Sequence, residues 1–237
     1  MKLLPGAIAE RLDSRRVRRA KFGLVDRACR DHRVRSLADL GGCWGVDGAY
    51  LFHAVDNHPI ERAVEVDTHP TPGFRERAAG YDNVELVQRN FSSPEAVEEV
   101  GDVDAVILYD VLLHQVDPDW DEVLGAYGER VRCLIVFNQQ WTGGHETVRL
   151  LDLGPEDYLR NVPLRDFHAQ ALERLDEIHP EHGRPWRDVH HIWQWGITDA
   201  DLERRARELG FERAFYDDIG PFPGLENFRN RAFLFVR

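Results

Sequence analysis

Ser36-Leu37-Ala38-Asp39-Leu40-Gly41-Gly42-Cys43-Trp44-Gly45-Val46-Asp47-Gly48 runs a short apolar stretch straight into a cluster of glycines. Leu37 to Leu40 reads as a buried strand, which Gly41, Gly42 and Gly45 break at once. Ala49-Tyr50-Leu51-Phe52-His53-Ala54-Val55 follows and reads as a helix start. A strand, a glycine turn and a helix N-terminus in that order make a nucleotide-binding corner. Glycines let the backbone approach a ligand closely, and the first helical turn offers unbonded N–H groups. Many α/β turns are glycine-rich for packing alone, so the corner by itself leaves both readings open.

The same grammar continues downstream. Ala63-Val64-Glu65-Val66-Asp67 predicts a second strand ending in an acid. Asp67 falls about twenty residues past the glycines, where a carboxylate can accept from both hydroxyls of a ribose. A simple strand-end cap is the competing role. Asn83 to Phe91 alternates like a third strand and ends in the polar–aromatic pair Asn90-Phe91. Asp102 to Asp110 is nearly continuous apolar sequence, the pattern of a central parallel strand buried on both faces. Val111-Leu112-Leu113-His114 follows directly, then a helix over Asp119 to Tyr127 and a fifth strand over Val131 to Phe137.

Residues 7–32 carry Ala7, Ile8, Leu12, Phe22, Val25 and Cys29 as a discontinuous apolar stripe, which predicts a helix before the first strand. Residues 1–35 are accordingly read as an N-terminal helical cap, and 36–237 as the main domain. Between Asn138 and Gly196 the grammar breaks: about sixty residues stand where two to six are usual. Phe167, Ala171, Leu175 and Ile178 fall at helical spacing, and six of the eleven histidines lie there (145, 168, 179, 182, 190 and 191). So do Trp141, Trp186, Trp193 and Trp195. Residues 138–196 are read as a lid or substrate-recognition insertion. The spacing of His179, His182, His190 and His191 matches no zinc pattern, so no metal site is expected.

At the far end, Thr198-Asp199-Ala200-Asp201 opens a helix with Leu202, Ala206 and Leu209 on one face. Gly210 stops it, Phe211 begins a sixth strand, and Arg231 to Val236 form a seventh after a loop with Pro221, Pro223 and Gly224. Two strands joined without a helix cannot be adjacent and parallel, so the last is expected to run antiparallel.

Asp39-Leu40-Gly41-Gly42-Cys43-Trp44-Gly45 resembles the Asp-x-Gly-x-Gly-x-Gly loop of class I S-adenosylmethionine-dependent methyltransferases, with Cys43 in place of the middle glycine. A side chain there either displaces the cofactor or points away from it. Val66-Asp67-Thr68-His69-Pro70 is similar to the family's Val-Asp-x-Ser-Pro stretch. Asn90 stands where the family usually has an adenine-binding Asp, beside an apolar residue matched by Phe91. Asp110-Val111-Leu112-Leu113-His114 resembles the post-strand segment near the methionine part of the cofactor, and Thr198 to Phe211 the family's Thr-x-x-x-Leu…Gly-Phe segment. The resemblance covers residues 36–137 and 197–237.

It implies a doubly wound α/β fold: a seven-stranded, mostly parallel sheet with an antiparallel last strand and a helical lid insertion. It also implies S-adenosylmethionine as cofactor, S-adenosylhomocysteine as product, and methyl transfer to an oxygen or nitrogen of a small molecule. Asp39, Gly41, Gly42, Cys43, Gly45, Asp67, Thr68, Asn90, Phe91, Tyr109 and Asp110 are the cofactor-binding candidates. His114 is the candidate general base, with a histidine packed at a helix start as its alternative. Gln139, Gln140, His190 and His191 are candidates to line the acceptor pocket. The rivals are an RNA methyltransferase using the basic N-terminal helix and a nicotinamide-dependent oxidoreductase.

Composition narrows the partners. A net charge of −12 argues against a general nucleic-acid or anionic-membrane binder. Residues 1–35 nonetheless hold eleven Lys/Arg against four Asp/Glu, densest at Arg15, Arg16, Arg18, Arg19 and Lys21, which reads as a solvated helix face. No run of eighteen apolar residues or secretory segment is evident. Cys29, Cys43 and Cys133 are widely spaced and odd in number, as expected of reduced, buried thiols in a cytoplasmic protein.

Overall fold

Strands that are apolar along their whole length need cover on both faces, and the chain supplies it with helices alternating from one side to the other. The structure is a computed structural model and describes residues 15–163, 165–180, 183–189 and 192–237. Its sheet has seven strands in the order β3-β2-β1-β4-β5-β9-β8. These are β1 (Ser36–Leu40), β2 (Arg62–Val66), β3 (Val84–Val87), β4 (Ala105–Tyr109), β5 (Cys133–Trp141), β8 (Glu212–Pro221) and β9 (Phe228–Val236). β1 to β5 are mutually parallel, whereas β9 runs antiparallel to both β5 and β8, as expected.

On one face lie α1 (Arg15–Asp31), α2 (Ala49–Asn57) and α3 (Pro72–Ala78). Leu24, Val25, Ala28, Phe52 and Phe74 pack there against Leu37, Ala63, Ile107 and Ile135. The other face carries α4 (Pro94–Val100), α5 (Trp120–Gly128) and α8 (Asp199–Glu208), whose Val97, Leu124, Leu202 and Ala206 meet Leu40, Val64, Val106 and Val136. Helix starts follow the chain's own punctuation. Thr71 and Ser93 accept from the Phe74 and Ala96 amides with a proline next in sequence, Asp119 and Glu122 form a capping box, and Thr198 accepts from the Asp201 amide.

Residues 142–195 build a third apolar cluster around Leu150, Tyr158, Ile192 and Trp193, closed by Leu113, Trp141, Phe222 and Phe228 of the main body. This region holds α6 (Pro155–Arg160), α7 (Arg165–Leu172) and a two-stranded ribbon of β6 (Val148–Arg149) and β7 (Trp195–Gly196).

Several boundaries differ from the sequence reading. β5 runs on through Asn138, Gln139 and Gln140 to Trp141, because β9 extends back to Phe228 and pairs with every one of them. Those four residues are therefore sheet. The third strand stops at Val87, before Asn90, where the chain turns. α7 ends at Leu172, so Leu175 and Ile178 leave its face, and Ile178 is exposed. The N-terminal helix is described from Arg15; Ala7, Ile8 and Leu12 lie outside the described residues. α1 belongs to the main core, with Leu24, Val25 and Ala28 essentially buried.

Candidate cofactor and acceptor site

In an open parallel sheet the loops at the carboxyl ends of the strands converge where the strand order reverses, here between β1 and β4. The glycine loop shapes this corner through Gly41 and Gly42. Gly41 has φ +75°, and a β-carbon there would contact Phe91 and Val111 at 3.5 and 3.4 Å. A β-carbon on Gly42 would lie 2.4 Å from Asp39 Oδ2 and 2.8 Å from Glu65 Oε2. Only glycine fits there, with two carboxylates pressed beneath the loop.

Those carboxylates dominate the electrostatics. The Gly42 amide donates to Glu65 Oε1 at 2.8 Å, and the Cys43 amide to Asp67 Oδ2 at 3.2 Å. Asp39 and Glu65 are buried, and Asp39 Oδ2 and Glu65 Oε2 have no hydrogen-bond partner. Burial and the nearby Asp67 charge push Asp39 up to about 7, against the pull of Lys21. Burial, then the charges of Asp39 and Asp67, also raise Glu65 well above the ordinary carboxylate range.

Glu65 was missed from sequence, as was Lys21. Each had a signal: Glu65 interrupts an otherwise apolar strand, and Lys21 shares a helical face with Val17, Leu24, Val25 and Ala28. Lys21 departs from the solvated face expected for the basic segment. It is 4% exposed, its Nζ lies 2.6 Å from Asp110 Oδ2, and it sits over the rings of Tyr50, Tyr109 and Phe137 at 5.1–5.8 Å. Arg15, Arg16, Arg18 and Arg19 remain exposed.

The other candidates differ in how they stand to this corner. Cys43 is buried with its thiol in a group with Glu65 and Asp67, so its side chain turns beneath the loop and leaves Trp44 exposed. Asp67 also accepts from the His69 amide at 2.8 Å, which leaves part of its four-site acceptor capacity free. Thr68 is exposed beside it, its hydroxyl 2.9 Å from His69 Nδ1. Asn90 Oδ1 accepts from the Ser92 amide and hydroxyl, so its carbonyl closes the local turn, whereas Phe91 packs over Gly41. Tyr109 is not at the surface of the corner: it is 8% exposed, and its hydroxyl donates to the Lys21 carbonyl.

Asp110, at φ +57°, ends β4 and accepts from Gln139 Nε2 at 2.6 Å; that amide also reaches Asn230 Oδ1 at 3.2 Å. Gln139 is thus tied into a buried polar chain from Lys21 to β9. Side chains alternate along β5, so Gln140 faces the opposite side of the sheet, fully buried and with both amide atoms unpartnered. The two do not share a pocket wall. His190 and His191 lie outside the described residues.

His114 ends a 3₁₀ turn after β4 (Leu112–His114) and is partly buried beside Trp193, 6.2 Å away edge-on. Its Nδ1 lies 3.2 Å from the Ile192 carbonyl, which can only accept. That bond places the proton on Nδ1 and leaves Nε2 as the basic nitrogen. Burial holds its pKa below the usual imidazole value, so the ring is neutral at pH 7.

No protein-family model matches the sequence, and no curated protein sequence matches it. Solved structures do resemble the fold. A Burkholderia thailandensis 1,6-didemethyltoxoflavin-N1-methyltransferase with bound S-adenosylhomocysteine superposes with TM-score 0.56 at 13% identity, covering 98% of this chain and 85% of that one. Magnesium protoporphyrin IX methyltransferase from Synechocystis gives 0.55 at 14% identity over 98% and 84%. An O-methyltransferase family protein from Burkholderia thailandensis gives 0.51 at 17% identity over 98% of this chain, which spans 63% of that protein's length. The fold is that of class I S-adenosylmethionine-dependent methyltransferases.

Proposed function

We propose that the chain transfers a methyl group from S-adenosylmethionine to an oxygen or nitrogen of a small molecule. The observation that carries this reading is the sheet with its glycine loop: β9 lies antiparallel between β5 and β8, and at the switch point the Cys43 amide donates to Asp67, which keeps acceptor capacity beside the loop. A dinucleotide-binding sheet of six parallel strands lacks that antiparallel strand. The solved methyltransferases of the same fold, several with bound S-adenosylmethionine or S-adenosylhomocysteine, support the choice.

Within this reading, Gly41, Gly42, Cys43 and Gly45 present backbone to the cofactor, Asp67 takes the ribose hydroxyls, and Phe91 packs against the base. Thr68 and Asn90 border the same rim, and Asp110 with Tyr109 fixes the wall below. S-adenosylmethionine supplies a methyl group already activated on sulfur, so the protein's task is alignment. His114 Nε2 accepts the proton that leaves a hydroxyl or amine acceptor. Residues 142–195, docked through Trp193 and Leu150, cap the acceptor side, and Gln139 borders it from β5. Three buried free thiols suit a reducing, cytoplasmic setting.

Calorimetric titration with S-adenosylmethionine, S-adenosylhomocysteine and NAD in parallel tests the assignment. Binding of the first two and none of NAD is the expected result. NAD binding without S-adenosylhomocysteine binding overturns it.

A further inference from the structure

Between α1 and α2, two imidazoles converge on one carboxylate oxygen. His53 Nε2 and His58 Nε2 each lie 2.8 Å from Asp26 Oδ1. Asp26 belongs to α1, His53 to α2, and His58 to the turn that ends α2. The three ligating atoms all lie within 4.8 Å of one another, and the side chains are 26%, 23% and 9% exposed. The His53 ring is braced 4.6 Å from Phe22, and the two imidazoles meet edge-on at 6.2 Å. The other carboxylate oxygen, Oδ2, is met by Arg30 at 3.3 Å, so the imidazoles share Oδ1.

We propose that Asp26, His53 and His58 form a site for a divalent transition-metal ion of the zinc type. Two neutral imidazoles and one carboxylate, with water completing four-coordination, are a donor set such ions favour. Ligand bonds of about 2.0–2.2 Å place tetrahedral donors about 3.3 Å apart, so each nitrogen withdraws from Oδ1 by about 0.5 Å on binding, while the three atoms, already within 4.8 Å of one another, close on a common centre. An outer-shell partner is also at hand. Asn57 Nδ2 donates to the His53 carbonyl at 2.9 Å and lies 3.3 Å from His53 Nδ1, holding that ring in place at the end of α2.

The ion would join α1 to α2. α1 is also the helix that carries Lys21 into the corner beneath the glycine loop, so the site would fix the helix that supplies that charge. Among the described residues a second such group, Cys43 with Glu65 and Asp67, belongs to the cofactor corner.

Titration of the tag-free chain with Co²⁺, followed by visible absorption, tests the site independently of any catalysis. One ion per chain is expected, with the bands bleached by Zn²⁺ and the melting temperature raised by Zn²⁺. His58→Ala and Asp26→Asn should each weaken Co²⁺ by more than the roughly 10–100-fold that loss of an outer-shell partner costs. Nuclear magnetic resonance of the wild-type imidazoles provides a second readout should a variant fail to fold: Zn²⁺ must shift His53 and His58 together. No Co²⁺ bands, or a binding midpoint unmoved in both variants, or Zn²⁺ shifts confined to other histidines, overturns the site and leaves a hydrogen-bonded triad.

Discussion

Lys21 Nζ and Asp110 Oδ2 lie 2.6 Å apart across 89 residues of sequence, joining the N-terminal helix to the end of the central strand. The lysine is nearly inaccessible, so its charge is held by Asp110 and by the faces of three rings. Removing one partner of a buried pair strands the other. Lys21→Met should therefore destabilise the protein by about 3–5 kcal/mol in urea unfolding, and Lys21→Met with Asp110→Asn should recover part of that loss. A single variant within about 1 kcal/mol of wild type would mean water reaches the pair.

Asp67 should report directly on cofactor binding. With two acceptor sites already given to the Cys43 and His69 amides, its remaining capacity is available to ribose hydroxyls. Asp67→Ala is expected to weaken S-adenosylhomocysteine by about 1.5–3 kcal/mol, the scale of hydrogen bonds to a charged group. An unchanged dissociation constant removes Asp67 from the site.

For His114 the protonation argument fixes the pH profile. Burial lowers its pKa, so the basic form is already complete at neutrality, and any loss of rate on acidification begins below the usual imidazole range. Single-turnover methyl transfer should be flat from about pH 7 to 8.5, and His114→Ala should be about 10²–10⁴-fold slower with cofactor affinity intact. An alanine variant within about threefold of wild type ends the base assignment.

Stability should respond to pH through Asp39 and Glu65. Both have folded-state pKa values above their unfolded ones, so between about pH 4 and 7 the folded state binds more protons than the unfolded state. Their contribution is complete below the unfolded values and is lost as pH rises through the folded ones. The melting temperature of the ligand-free protein should fall over this range, by about 2–4 °C for each kcal/mol lost, and Asp39→Asn should flatten the fall. A variant with the wild-type slope would place the proton elsewhere.

Hydrogen exchange can test whether residues 142–195 act as a cap. Their cluster rests on the body through Leu113, Phe222 and Phe228, separately from the two sheet cores. Exchange there should be faster than in β4 without ligand and should slow when cofactor and acceptor bind. Protection equal to that of β4, unchanged by ligand, would make the region a fixed structural element.

The parts legible in the sequence are those where one local rule suffices. β4 is apolar throughout because it is covered on both faces, and Gly41 and Gly42 announce a backbone that something must approach. Asp67 stands out in the sequence because strand-end position and spacing coincide, and the structure sets it against the Cys43 amide. Lys21 was not read as buried, because a lysine among arginines looks solvated until its register with Leu24 and Ala28 is set against a partner 89 residues away. Gln140 is a related case: adjacent residues of a strand point to opposite faces, so it and Gln139 have different surroundings. The third cluster has no single repeating pattern, since its apolar residues come from two short helices, from turns and strand ends and from the β8–β9 loop together.

The insertion of β9 between β5 and β8 sets a schedule for the newborn chain. Cys133 to Trp141 leave the ribosome with one edge unpaired, and the strand that covers it, beginning at Phe228, is made about ninety residues later. At roughly 5–20 residues per second, that edge stays open for on the order of 5–20 seconds. For that interval a nine-residue, wholly buried strand is a template for pairing with other nascent chains.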